Sequence, residues 1–202
     1  MDYNEKLDII QNEWEKASQE AGLKKFCRDG LMYKGEIFSL ISDKDGKKYL
    51  CRKKGSENDL WHKSKKRILF LMKDTNDNDN QDYREWVGRQ DGSIITHRFF
   101  KNIALWLYGL YTTDENGVYK PFEEAIMPTI YSKAFDDFPF AIINCKKESG
   151  EGKISNQALW EYCKQYGHFL KRQVEALEPN IIVCGGGSGI VRKIVQEFIY
   201  PH

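Results

Sequence analysis

The sequence predicts a three-layer α/β/α domain with a central, mainly parallel sheet, preceded by an N-terminal helix and a β-hairpin. Two observations carry this reading. Three apolar runs of strand length, RILFLM (67–72), FAIIN (140–144) and NIIVC (180–184), show no polar alternation, as expected of strands buried on both faces. The stretches between them have the three- and four-residue apolar spacing of helices, and strand, helix, strand, helix, strand is the pattern of a parallel sheet covered on both sides.

In chain order, Tyr3 to Ala21 sets Leu7, Ile10, Trp14 and Ala17 at helical spacing, with Gly22 placed as a stop. From Gly35 the pattern changes to Ile37, Phe38, Leu40 and Ile41, an Asp45-Gly46 turn signal, then Tyr49 and Leu50, which predicts a hairpin. After the first strand, His97 to Tyr111 is so apolar that it predicts a deeply buried helix. Ser155 is placed to cap a long helix carrying Leu159, Cys163, Tyr166, Leu170, Val174 and Leu177, with Pro179 just beyond its end. A last helix is expected over Ile190 to Ile199. The division is therefore an N-terminal helix and basic hairpin over 1–66 and an α/β domain over 67–202, forming one compact unit.

Composition excludes several classes. Of 202 residues, 41% are hydrophobic and 13% aromatic, enough for a core, while no apolar run nears the roughly 20 residues of a bilayer-spanning helix. Five cysteines without a CxxC pair suit a reducing compartment, so the expected location is cytoplasmic, with each thiol filling a small apolar volume. The net charge of +1 argues against a uniformly basic coat, yet Lys44 to Arg67 holds ten basic residues against three acids. That stretch, with Lys63, Lys65 and Lys66, is either a solvated face or a phosphate-binding surface.

In an open α/β sheet, ligands bind outside the carboxyl ends of the strands. Lys73 to Asp77, Asn144 to Lys147 and Gly185 to Gly189 would meet there. The CGGGSG run (184–189) lets backbone N–H groups approach an anion ahead of a helix, so Gly185, Gly186, Gly187 and Ser188 are candidates for phosphate contact or simply a tight turn. Asn144 either reads the edge of an amide-like ring or caps its strand. Asp74 is either a water-orienting base or a helix cap. The tract from Asp74 to Glu85 approaches calcium-loop spacing through Asn76 and Asn78, but Asp79 stands where the loop's glycine is needed. No metal and no cofactor are expected.

With those segments in hand, the order resembles the uracil-DNA glycosylase superfamily across Arg67 to Ile199. RILFLMKDTND is similar to its first motif, with Asp74 where the water-activating Asp stands. FAIIN followed by SNQALWEYCKQYGHFLKRQVEALEPNIIVCGG is similar to the strand, helix and phosphate turn that follow. The resemblance implies that Asn144 hydrogen-bonds a flipped base and that Gly185 to Ser188 hold a DNA phosphate. Lys73 and Thr75 replace the Gln or Glu and the Pro of the first motif. Cys163 matches a cluster ligand of the iron–sulfur members, but Cys145 directly follows Asn144 and there is no CxxC, so no cluster is expected. The family's His-Pro-Ser loop has only His202 as a counterpart, which implies a truncated chain or a lost activity.

The resemblance thus implies a divergent uracil-DNA glycosylase-like hydrolase of DNA repair, cleaving the N-glycosidic bond of a flipped base in DNA. The alternative is a non-catalytic module that binds a nucleotide or nucleic acid in the same crevice.

Overall fold

The computed structural model describes residues 2–23, 25–41, 48–75, 82–89, 92, 94–148 and 154–201. Its elements in chain order are α1 (Tyr3–Glu20), β1 (Gly30–Leu31), β2 (Ile37–Ile41), β3 (Lys48–Arg52), α2 (Glu57–Lys63), β4 (Ile68–Met72), α3 (Arg98–Thr112), α4 (Phe122–Ala125), α5 (Pro128–Asp137), β5 (Phe140–Asn144), α6 (Asn156–Leu177), β6 (Ile181–Cys184) and α7 (Ile190–Ile194). A 3-10 turn spans Tyr83–Glu85, and a π-helical turn over Val195–Ile199 continues α7. The class is mixed α/β. Two compact units divide the chain, one of residues 1–31, 67–84 and 141–202, the other of 32–66 and 85–140.

The first unit is built on a four-stranded mixed sheet of order β1-β5-β4-β6. All three predicted strands form. β4 and β6 run parallel with Ile68 opposite Ile181 and Leu71 opposite Cys184. Asn180 sets their start, its Oδ1 accepting the Arg67 N–H at 2.8 Å. β5 and β4 lie side by side and run the same way, since the N–H of Cys145, just past β5, donates to Met72 O at the end of β4 at 2.8 Å. The sheet is not wholly parallel, because β1 joins β5 antiparallel, with Gly30 opposite Ile142. β5 is buried throughout, but Ile181, Ile182 and Val183 of the edge strand β6 are half-exposed and Cys184 is exposed. The expectation of burial on both faces therefore fails for β6, and Cys184 fills no interior volume.

α1 begins at a capping box: Asp2 Oδ1 accepts the Glu5 N–H at 2.7 Å, and Glu5 Oε2 accepts the Asp2 N–H at 2.9 Å. It stops at Gly22, whose φ of +84° suits a residue without Cβ. Its buried face sets Trp14 nearly parallel to Phe169 of α6, ring centres 5.7 Å apart. α6 starts at Ser155, whose Oγ accepts the Ala158 N–H at 3.1 Å, and ends before a left-handed Glu178 followed by Pro179.

The second unit holds the hairpin, with Phe38 opposite Cys51 and Leu40 opposite Tyr49. The Asp45-Gly46 turn signal lies outside the described residues. α3 is not deeply buried. Phe100, Ile103, Ala104 and Leu107 turn inward, while Trp106 is 61% exposed. An all-round apolar composition concealed that orientation. Phe100 meets Phe135 edge to face at 5.8 Å, and Phe135 meets Phe140 at 4.8 Å.

Above this aromatic set, Lys34 Nζ donates to the Phe135 and Asp136 carbonyls at 2.6 and 3.0 Å, capping the end of α5. Arg52 and Arg89 both bind Asp136 Oδ1, at 2.7 and 2.6 Å. Burial, and next the Arg52 guanidinium, push the Lys34 ammonium down to about 7. Between about 7 and its ordinary 10.5 the unfolded chain holds a proton that the folded chain has lost, so this group makes stability rise with pH across that window. Burial pushes the Cys51 thiol from 9.0 up to about 11, which acts in the opposite sense above pH 9.0. Urea midpoints are therefore expected to climb between pH 7 and 9 in the wild type and to climb less in Lys34→Met. Parallel pH profiles would contradict this account of Lys34.

Candidate phosphate site at the carboxyl ends of the strands

β5, β4 and β6 stand in spatial order as the second, first and third parallel strands of the sequence. The chain thus passes from β4 to β5 on one side and returns past β4 to β6 on the other. In open α/β sheets ligands bind outside the carboxyl ends at such a reversal, which here falls between β4 and β6, whose ends carry Lys73 and the glycine loop.

The loop hugs the end of β4. The Gly185 N–H donates to Leu71 O at 2.7 Å, and a Cβ on Gly185 would fall 2.4 Å from Met72 Sδ. Gly186 has φ of +85°, and a Cβ there would fall 2.9 Å from Lys73 Cε. The left-handed backbone of Gly186 favours glycine, whereas at Gly185 the clash is with the flexible end of Met72, which can move aside. Lys73 crosses the turn so that its Nζ donates to Asn156 Oδ1 at 3.0 Å, and the Ser188 hydroxyl donates to that same oxygen at 2.9 Å. An ammonium and a hydroxyl thus converge on one exposed acceptor. The N–H groups of Gly186 and Gly187 make no hydrogen bond among the described residues. A phosphate oxygen in place of the Asn156 oxygen would meet the same two donors, with charge assistance from the ammonium.

Asn144 is placed differently. It is 1% exposed, its backbone N–H donates to Asp29 Oδ2 at 2.8 Å, and its Nδ2 donates to the same oxygen at 3.2 Å. Lys147, fully buried, donates to Asp29 Oδ1 and sits 5.0 Å from the Trp14 ring centre. Gln11 completes the set, its Oε1 accepting the Asp29 N–H at 2.9 Å and its Nε2 donating to Asp29 O at 3.0 Å. Burial lowers the Lys147 pKa, with Asp29 acting against it. Burial and next the Glu148 carboxylate raise that of Tyr162. This is an interior network joining α1, β1 and the end of β5.

Of the other candidates, Asp74 stands half-buried two residues past β4, and Thr75 beside it is fully buried. Lys63, Lys65 and Lys66 belong to the second unit. Lys66 donates its ammonium to the Leu110, Tyr111 and Thr113 carbonyls at the end of α3, the first at 2.8 Å. Lys65 is 3.7 Å from Glu115. Asn76, Asn78 and Asp79 of the calcium-like tract, and His202, lie outside the described residues. Among the described residues no group of three or more His, Cys, Asp or Glu is disposed to hold a metal, and no helix is long and apolar enough to cross a membrane. The thiols of Cys145 and Cys163 adjoin, and burial raises the Cys145 pKa well above its ordinary value.

Asp29 and Asn156 escaped the sequence reading. Asp29 precedes a two-residue strand with no pattern of its own, and Asn156 next to Ser155 reads as part of a helix cap. Comparison with protein-family models, with curated proteins and with solved structures finds no match to this chain.

Proposed function

We propose that this protein binds a phosphate-bearing ligand, a nucleotide or a nucleic-acid strand, in the crevice between β4 and β6, without cleaving it. The observation that carries the reading is the convergence of Lys73 Nζ and the Ser188 hydroxyl on one exposed oxygen above the glycine turn. The glycosylase-like three-layer arrangement belongs to this reading as the source of the resemblance around Asp74, Asn144 and Gly185 to Ser188. Against hydrolysis stands Asn144, which is buried with its Nδ2 engaged by Asp29 and so is not presented to a base.

The two activities separate in one assay series. Wild type, Asp74→Asn and Asn144→Ala are incubated with uracil-containing single- and double-stranded DNA, and released base is measured. No release is expected from any of the three, while binding of a labelled oligonucleotide weakens with added salt. Release by wild type that Asp74→Asn abolishes would replace this proposal with the hydrolase.

A further inference from the structure

Trp160 stands one turn further along α6 from Asn156, the residue whose Oδ1 receives both Lys73 Nζ and the Ser188 hydroxyl. Residues four apart share a face of a helix, and four residues advance about 6 Å along its axis. The ring therefore belongs to the flank of α6 that carries Asn156 and its two donors. It is half-buried and lies outside the inward stripe of α6, which runs through Leu159, Cys163 and Leu170.

A stacking platform needs a neighbour that holds it, and Phe198 is placed to do so. Its ring centre is 5.1 Å from that of Trp160, the two planes tilted by 58°. Phe198, in the π-helical turn Val195–Ile199, is itself seated over Gly167, where a Cβ would fall 3.1 Å from the Phe198 ring. Glycine weakens the interior of a helix, and Gly167 lies deep within α6, so its effect there is to make room for Phe198. The indole is thus backed by a seated ring and remains partly open to solvent.

An ammonium and a hydroxyl suit a phosphate, and a partly open indole suits the face of an aromatic base. A ligand that offers both, one helical turn apart, is a nucleoside phosphate, whose sugar bridges the two. We propose that the site between β4 and β6 takes a single nucleotide, its phosphate held by Lys73 and Ser188 and its base stacked on Trp160. This rests on the phosphate reading of the site and adds the base to it. Proteins that hold single strands line up several rings for successive bases, whereas Trp160 offers a platform for one.

The full chain is titrated with adenosine and uridine 5′-monophosphates, with ribose 5-phosphate and with inorganic phosphate, while the thermal midpoint and tryptophan emission are followed. The tighter of the two nucleotides is expected to bind at least about five-fold more strongly than ribose 5-phosphate, and to quench emission that ribose 5-phosphate leaves unchanged. Trp160→Leu is expected to bind nucleotide and ribose 5-phosphate alike. Trp160→Phe, which keeps a ring against Phe198, is expected to retain the preference for nucleotide and lose the quenching. Equal binding of nucleotide and ribose 5-phosphate by the wild type, or an undiminished preference in Trp160→Leu, would overturn the base contact and leave the phosphate site standing. Binding of none of these ligands would remove the phosphate site and this inference with it. A short oligonucleotide binding more than about ten-fold tighter than the mononucleotide would also overturn the inference, because a strand read at several bases would then be the ligand.

Discussion

Lys147→Met is expected to destabilise the first unit by about 3–5 kcal/mol, because it removes one member of a fully buried ion pair and leaves the other charge without compensation. The Asp29 carboxylate would keep only its two Asn144 contacts, since Gln11 bonds the Asp29 backbone, and it would do so fully buried. The double variant Asp29→Asn with Lys147→Met tests the cause. An asparagine at 29 still offers Asn144 an acceptor and carries no charge, so the pair of changes is expected to cost less than Lys147→Met alone. Urea unfolding of wild type, both singles and the double variant supplies the cycle. A single-variant cost below about 1 kcal/mol, or strictly additive costs, would show that the pair does not hold α1, β1 and β5 together.

Trp14→Ala is the second large effect expected, at about 3–5 kcal/mol. The ring is fully buried, lies nearly parallel to Phe169, stacks on Tyr162 and Tyr166 at 6.3 and 6.2 Å, and meets Phe26 edge on at 6.1 Å. Its removal would open a cavity between α1 and α6 and take the aromatic face from beside the Lys147 ammonium. Trp14→Phe keeps a ring in that stack and is expected to cost less. Thermal melts distinguish the cases, and a midpoint for Trp14→Ala near that of wild type would mean that α1 is a dispensable extension.

These two residues also mark where the sequence could be read. Trp14 was legible because α1 repeats apolar positions at helical spacing, and β4, β5 and β6 were legible because their apolar runs are short and end in polar clusters. The hairpin and the Ser155 cap followed from equally local chemistry. Lys147 was visible only as one of several polar residues past β5. Its burial depends on Asp29, 118 residues away, and no local period encodes a charge pair across that distance. β1 and the short helices α2 and α4 carry too few residues to show a period. α3 misled by composition: its apolar residues occupy all sides, and only packing decides that Phe100 enters the core while Trp106 faces out. At the candidate site, the strand-end rule brought out Lys73 and Gly185 to Ser188 before any contact was known, whereas Asn144 ends its strand in the interior.

The measurement that tests the proposed site most directly is a thermal-shift titration of wild type, Lys73→Ala and Asn156→Ala with mononucleotides, with inorganic phosphate and with single-stranded DNA. A ligand bound only by the folded chain stabilises it by about 2.7 kcal/mol at a hundred times its Kd, so saturating ligand is expected to raise the wild-type midpoint. Lys73→Ala is expected to lose that rise. Asn156→Ala, which removes the acceptor now shared by Lys73 and Ser188, is expected to keep or strengthen it. No rise with any of the phosphate-bearing ligands, or the same rise in Lys73→Ala as in wild type, would contradict a phosphate site between β4 and β6.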